Sequence, residues 1–294
     1  MHPAAARSLG VLIATWLVPN AWAQAWLPPK HSFGVGLVHA DTLNKDHYTP
    51  SGGTVDVGHT RTFVDTLLVS YSPTSRILIA GAIPYVRARY YGSRPHPGSE
   101  VDDGDFHSSV TDVHLQVHYQ WRVEPFALAP YLEIVIPTTD YPTLGHATAG
   151  RGLEEQTLGF FVGKSLDQWL PRTYLQARYA YSFVETVAGV SHDRSNADLE
   201  LGYFFNPQWS MRAIASWQNT HGGIDVPVPP SNPYYPYHDQ IARERYVRVG
   251  AGLAWSLNER SSSYLLYQRS VSGANGHRLN DGFTLGYSYG FTPR

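Results

Sequence analysis

The sequence runs to 294 residues with 43% hydrophobic content and a formal net charge of -2, from 22 Lys+Arg against 24 Asp+Glu. That length and apolar fraction exclude a disordered chain, and the balanced charge provides neither the basic field that nucleic acid requires nor an acidic tail. Cysteine is absent while Gly (26), Pro (21) and Tyr (20) are abundant, which excludes a disulfide scaffold and favours strands and turns over helices.

The chain opens with a short segment ending at Arg7, an apolar stretch from Leu9 to Val18, a break at Pro19 and Asn20, and Ala21-Trp22-Ala23. This is the order of a secretory signal, and cleavage after Ala23 is expected, leaving residues 24–294 as one domain. About ten apolar residues are too few to anchor the chain across a bilayer as a helix.

Beyond it, segments of alternating polarity recur to the end of the chain. They predict about twelve strands at 31–39, 59–71, 77–91, 110–122, 126–137, 156–165, 173–184, 197–205, 210–220, 245–257, 263–271 and 283–291. Short links (72–76, 122–125, 206–209, 257–262) punctuate every second gap. Long polar or Pro/Gly-rich links (41–58, 92–109, 138–155, 186–196, 221–242) fall between them. Sorting of long and short links to opposite ends is expected of an all-β, antiparallel, transmembrane outer-membrane β-barrel with periplasmic turns and external loops. In FTLGYSYGF (283–291), Phe283, Leu285, Tyr287, Tyr289 and Phe291 share the lipid face, and Thr284, Gly286, Ser288 and Gly290 the lumen face.

The stretch VTDVHLQVHYQW (110–121) is where a helix and a strand imply different chemistry. On a helix, His114 and His118 would share a metal; on a strand, at about 3.3 Å per residue, they stand about 13 Å apart. Strand geometry instead puts Asp112, His114, Gln116 and His118 along a lumen face. Arg87, Arg89, Glu133, Arg178, Asp198, Glu200, Arg212 and Arg248 are expected to line the same pore in cross-lumen ladders, because an Arg facing mid-membrane lipid costs about 2–4 kcal/mol. Nothing in the spacing of the loop histidines His47, His96, His146, His192, His221 and His238 requires a metal. With no phosphate loop, Cys pair or dinucleotide fingerprint, neither metal nor cofactor is expected.

Several stretches carry a family resemblance. SSVTDVHLQVHYQW matches a family strand opener at Ser108, Asp112 and Val113, with Ser109 and Thr111 where Gly is usual. YLEIVIPTTDYPTLG matches at Pro137, Thr138 and Tyr141, with Thr139 in place of Gly. DLELGYFFNPQWSMRAIASWQNTHGG matches a late hairpin at Gly202, Tyr203, Asn206 and Pro207. On these residues the chain resembles the phenol-degradation (meta-pathway) family of outer-membrane barrels, a group that includes barrels similar to functional-amyloid exporters. The resemblance implies a transport-type barrel with no catalytic residues to carry over. The expected function is passive passage of a small, hydrophobic or aromatic solute, with outer-membrane lipid and the barrel-assembly machinery as partners and an internal assembly signal ending at Phe291. Two alternatives stand beside it. One is a phospholipase-like barrel enzyme, since SHDRSN (191–196) is superficially similar to a phospholipase signature, although its spacing differs and Ala197 replaces Gly. The other is a barrel for export or assembly of a secreted protein.

Overall fold

The computed structural model describes residues 25–291, so the expected secretory segment lies outside the described residues. The period-two patterning resolves into a single antiparallel sheet: β1 (Phe33–Tyr48), β2 (Thr54–Thr74), β3 (Ile77–Tyr91), β4 (His107–Val110), β5 (Val113–Tyr119), β6 (Ala127–Ile136), β7 (Glu155–Ser165), β8 (Thr173–Val184), β9 (His192–Phe204), β10 (Trp209–Gly222), β11 (Arg245–Ser256), β12 (Ser261–Ala274) and β13 (Gly276–Phe291). β4 and β5 lie end to end along one side of β3, with registers from Tyr85↔Val110 and from Ile77↔Tyr119. They form one interrupted strand, so the sheet has twelve staves. β1 pairs with both β2 and β13, which closes the sheet into a barrel, the condition for crossing lipid with strands.

Alternation sets the two surfaces. Leu37, Leu115, Leu158, Leu199, Leu265, Phe283 and Leu285 point outward and are exposed, Leu285 by 50%. Aromatics ring the short-turn end on the same outer surface. Phe33 stacks on Tyr71 and Phe291, Trp209 stacks on Trp255, and Tyr119 and Trp121 are exposed nearby. Rings at the ends of an apolar band suit a headgroup interface. Inward, small residues make room for large ones. A Cβ on Gly202 would lie 2.1 Å from the Tyr174 ring, and one on Gly286 2.1 Å from the Tyr264 ring. Each glycine is therefore needed for a tyrosine to lie flat against the inner wall.

Several strand boundaries differ from those read in the sequence, among them the start of β9, which reaches back to His192 in the link expected at 186–196. The link expected at 41–58 is mostly ladder, because β1 and β2 continue to a turn at 49–53. The expected gap at 272–282 collapses to a tight turn at Asn275, whose φ of 55° lies in the left-handed region that Asn tolerates. The expected strand 110–122 breaks at Thr111 and Asp112. Where a ladder rises above lipid, both faces meet water or loops. The hydrophobic alternation then vanishes while the backbone pairing continues.

Candidate functional site: the barrel lumen and its mouth

Ionisable side chains converge on a cavity of about 440 Å³ at mid-height, lined by residues that include His114, Gln116, Glu133, Arg178, Arg194 and Arg248. Register explains the pairing. Arg178 and Asp198 are direct cross-strand partners on β8 and β9, and the Arg178 Nε–H donates to Asp198 Oδ2 at 2.7 Å. His114 Nδ1 lies 2.8 Å from Glu133 Oε1 across β5 and β6. Arg212 approaches Glu200 at 3.6 Å, and Glu200 also accepts from the Tyr174 hydroxyl at 2.6 Å. Most of these pairs run along the wall between adjacent strands, where the sequence predicted ladders across the lumen. Opposite charges placed one ladder step apart neutralise locally.

The short-turn end is closed by the chain itself. Residues 25–27 lie inside the barrel as a strap, with Ala25 fully buried and Leu27 packed among Val38, Leu68, Leu78, Ile214 and Leu266. Gln120 holds the strap twice, accepting the Leu27 N–H at 2.8 Å and donating to the Ala25 carbonyl at 2.9 Å. Gln176 accepts the Ala25 N–H at 3.0 Å. A Cβ on Gly163 would stand 2.5 Å from the Ala25 Cβ, so the bare backbone there lets the strap approach the wall.

The opposite end carries a vestibule of about 470 Å³ beneath the long loops. Val226, Pro227, Pro230 and Tyr235 give it an apolar side, and His96, His146, His238 and Asp239 a polar one. His146, Arg151, Glu244 and His277 border both this vestibule and the mid-height cavity, and the Arg151–Glu244 ion pair at 2.7 Å narrows the junction. Asp102 anchors the loops. Burial opposes its charge, but hydrogen bonds from the His96 ring and from the backbone N–H groups of His96 and His146 prevail and hold its carboxyl down to about 2. Burial, reinforced by neighbouring His96, pushes the His146 imidazole down to about 4. For His96, burial pulls the other way, but Asp102 and Asp239 outweigh it and its pKa is raised.

Residues 44–288 match the family model described as "Putative MetA-pathway of phenol degradation". The chain belongs to that family. Among solved structures, this member of the phenol-degradation family is similar to the COG4313 outer membrane channel from Pseudomonas putida F1, with a TM-score of 0.70 and 15% identity over 94% of this chain and 100% of that one. It is also similar to the beta domain of the Bordetella autotransporter BrkA (TM-score 0.51, 14% identity, 89% of this chain and 100% of that one). The NanC porin gives a TM-score of 0.50 at 9% identity over 86% of this chain and 98% of its own. No curated protein matches in sequence. A channel, an autotransporter beta domain and a porin share this frame, so the likeness establishes an outer-membrane β-barrel.

Two family-like stretches quoted from the sequence meet in space. The Thr138 and Thr139 hydroxyls donate to the carbonyls of Thr111 and Val110, and the Tyr141 hydroxyl donates to Asp112 Oδ1 at 2.5 Å. Asp112 thus ties a loop to the break in the wall, while His114 turns to Glu133. Both still line the mid-height cavity. Gln116 and His118 face inward, 2.8 Å apart, with His118 fully buried and stacked on Tyr131 and Phe161. Arg248 faces the lumen against the Tyr246 ring.

Arg87 and Arg89 require correction in this family member: both lie on the outer surface, in phase with the exposed Ile79, Ile83 and Tyr85, while Val86, Ala88 and Tyr90 fill the interior. Arg87 reaches Asp65 at 3.5 Å and Arg89 lies over the Tyr91 ring. The premise that charge must face the lumen holds only at membrane depth. These two arginines sit toward the long-loop end of β3, among outward-facing charges that include His39, Asp41 and Arg61. Residues the sequence did not single out include Gln176 at the strap, Arg151 and Glu244 at the junction, and Asp102, Asp239 and His277 at the mouth. The Asp and His residues come from separate loops or strand ends, and no local spacing signals their meeting.

Proposed function

We propose that this barrel passes small solutes through the outer membrane by passive diffusion. The observation that carries the reading is the pair of cavities in series, vestibule and mid-height chamber, joined at His146, Arg151, Glu244 and His277. The apolar Val/Pro/Tyr side of the vestibule suits an aromatic body, and the charged chamber suits a polar substituent. A small aromatic carrying a hydroxyl or carboxylate fits both, in keeping with a family described by phenol degradation. The wall pairs around Glu133, Arg178, Asp198, Glu200, Arg212 and Arg248, with Gln116, His114 and His118, tune what passes. Export with cleavage after Ala23 makes Gln24 the first residue of the mature chain, and insertion falls to the barrel-assembly machinery. The barrel has no catalytic role in this reading.

Planar-bilayer recording tests it: purified barrel gives discrete current steps that grow when residues 24–29 are deleted. A folded barrel passing neither ions nor solute in either form would overturn the channel reading. The competing hydrolase reading has one geometric basis, Ser195 Oγ at 2.8 Å from His221 Nε2. Ser191 and His192, suggested by the sequence, are not brought into such a pair; the His192 ring is buried against the Val190 carbonyl. Lipid hydrolysis lost in Ser195→Ala would favour the enzyme; the channel reading expects none in either protein.

A further inference from the structure

Three potential ligand atoms converge at the mouth from two loops. His96 Nε2 lies 2.9 Å from His238 Nε2 and 3.9 Å from Asp239 Oδ1, and His238 Nε2 lies 3.4 Å from the same oxygen. The far nitrogen of each ring is already committed. His96 Nδ1 is 3.0 Å from Asp102 Oδ2, and His238 Nδ1 is 2.6 Å from the Tyr235 carbonyl. A carboxylate and a carbonyl only accept, so each Nδ1 carries its ring's proton. In the neutral rings both Nε2 atoms then present lone pairs to one another, with a carboxylate oxygen beside them. Such a trio repels itself unless a proton or a metal ion sits among its atoms. The other Asp239 oxygen, Oδ2, accepts the Gly145 N–H at 2.9 Å, which leaves Oδ1 turned toward the rings.

The distances suit a metal. Ligands at about 2.0–2.1 Å in a tetrahedron stand about 3.3 Å from one another, and the three observed separations bracket that figure. Each ligand is also oriented by an acceptor or donor behind it, the outer-shell support that fixes tautomer and direction in metal sites. A second trio adjoins the first. Ligating atoms of His47, His146 and His277 lie within 4.8 Å of one another. The Nε2 atoms of His47 and His277 are buried without a hydrogen-bond partner, an arrangement that costs stability unless something binds there. The His96 and His146 rings, 4.1 Å apart, link the two groups.

We propose that the mouth binds a divalent transition-metal ion of the zinc class through His96, His238 and Asp239, with His47, His146 and His277 forming a second position one step deeper, beside the mid-height chamber. The imidazole-rich donor set selects against calcium and magnesium, which take oxygen ligands. Bound there, the ion ties the loop 92–106 to the loop 223–244 and keeps a coordination position open to the vestibule. This site stands independently of whether solute passes below it.

The test is calorimetric titration of Zn²⁺ into purified, untagged, chelator-washed barrel, with bound metal counted by elemental analysis. Saturable binding of one or two ions per chain is expected, undisturbed by excess Mg²⁺. Affinity falls by at least about 100-fold in the double variant His96→Ala/His238→Ala and by about tenfold in Asp102→Asn, which removes outer-shell support only. His59→Ala, remote from the cluster, changes nothing. Heat-modifiable gel migration confirms that each variant is folded. Binding that survives in the folded double variant, or no saturable binding in the unmodified barrel, overturns the site. So does a proton shared between the two rings, seen by NMR both with and without Zn²⁺.

Discussion

Substituting Gln120→Ala probes the strap at the residue that holds it twice. The change removes the bond from the Leu27 N–H and the bond to the Ala25 carbonyl, leaving two buried main-chain groups unpaired. Each unsatisfied group costs about 1–3 kcal/mol, so the two together weaken the strap by about 2–6 kcal/mol. At 1.4 kcal/mol per factor of ten, its displaced population rises at least about 30-fold. The chain has no cysteine, so Leu27→Cys introduces a unique thiol at a buried position of the strap. Labelling by a bulky, membrane-impermeant maleimide reports each exit from the lumen. The rate should rise by at least tenfold when Gln120→Ala is added, with a smaller rise for Gln176→Ala, which removes a single bond to the strap. Equal rates in all three backgrounds, with gel migration intact, would refute the plug.

Four further outcomes follow from the wall and the junction. Asp198→Ala strands Arg178 inside the lumen and should destabilise the barrel in urea titration by about 3–5 kcal/mol, the cost of breaking a buried pair. Asp41→Ala breaks the exposed Arg61 pair and should cost under about 1 kcal/mol. Gly286→Val drives a side chain into the space of the Tyr264 ring and should lower the urea midpoint, by about 1–3 kcal/mol of overpacking, whereas Gly290→Ala, whose nearest neighbour would be 3.7 Å away, should not. Arg151→Ala removes the positive half of the junction pair with Glu244, so conductance should rise and the reversal potential in a salt gradient should move toward cation selectivity.

The membrane-depth fold was legible because lipid imposes a strict rule. Every second residue from Phe283 to Phe291, and again from Leu199 to Phe205, had to be apolar, and the wall follows that phase. The same rule separated His114 from His118 and put Gln116, Glu133, Arg178, Asp198 and Glu200 inside. It failed above the membrane. There β3 carries Arg87 and Arg89 outward, and β12 and β13 meet at Asn275 without an apolar pattern to reveal the hairpin. The mouth was the least legible part, since loop closure draws His96, His146 and His238 together and the β1–β13 ladder sets His47 opposite His277. The strap was hidden for a related reason: Ala25 and Leu27 look like an unremarkable leader until Gln120 and Gln176 are placed opposite them.

Solute flux tests the central claim most directly. Proteoliposomes containing the mature barrel should take up a small hydroxylated or carboxylated aromatic faster than protein-free vesicles. Uptake should accelerate on deletion of residues 24–29 and change selectivity in Arg151→Ala. Uptake no faster than through the bare bilayer, in both the intact and strap-deleted barrels, would contradict the account.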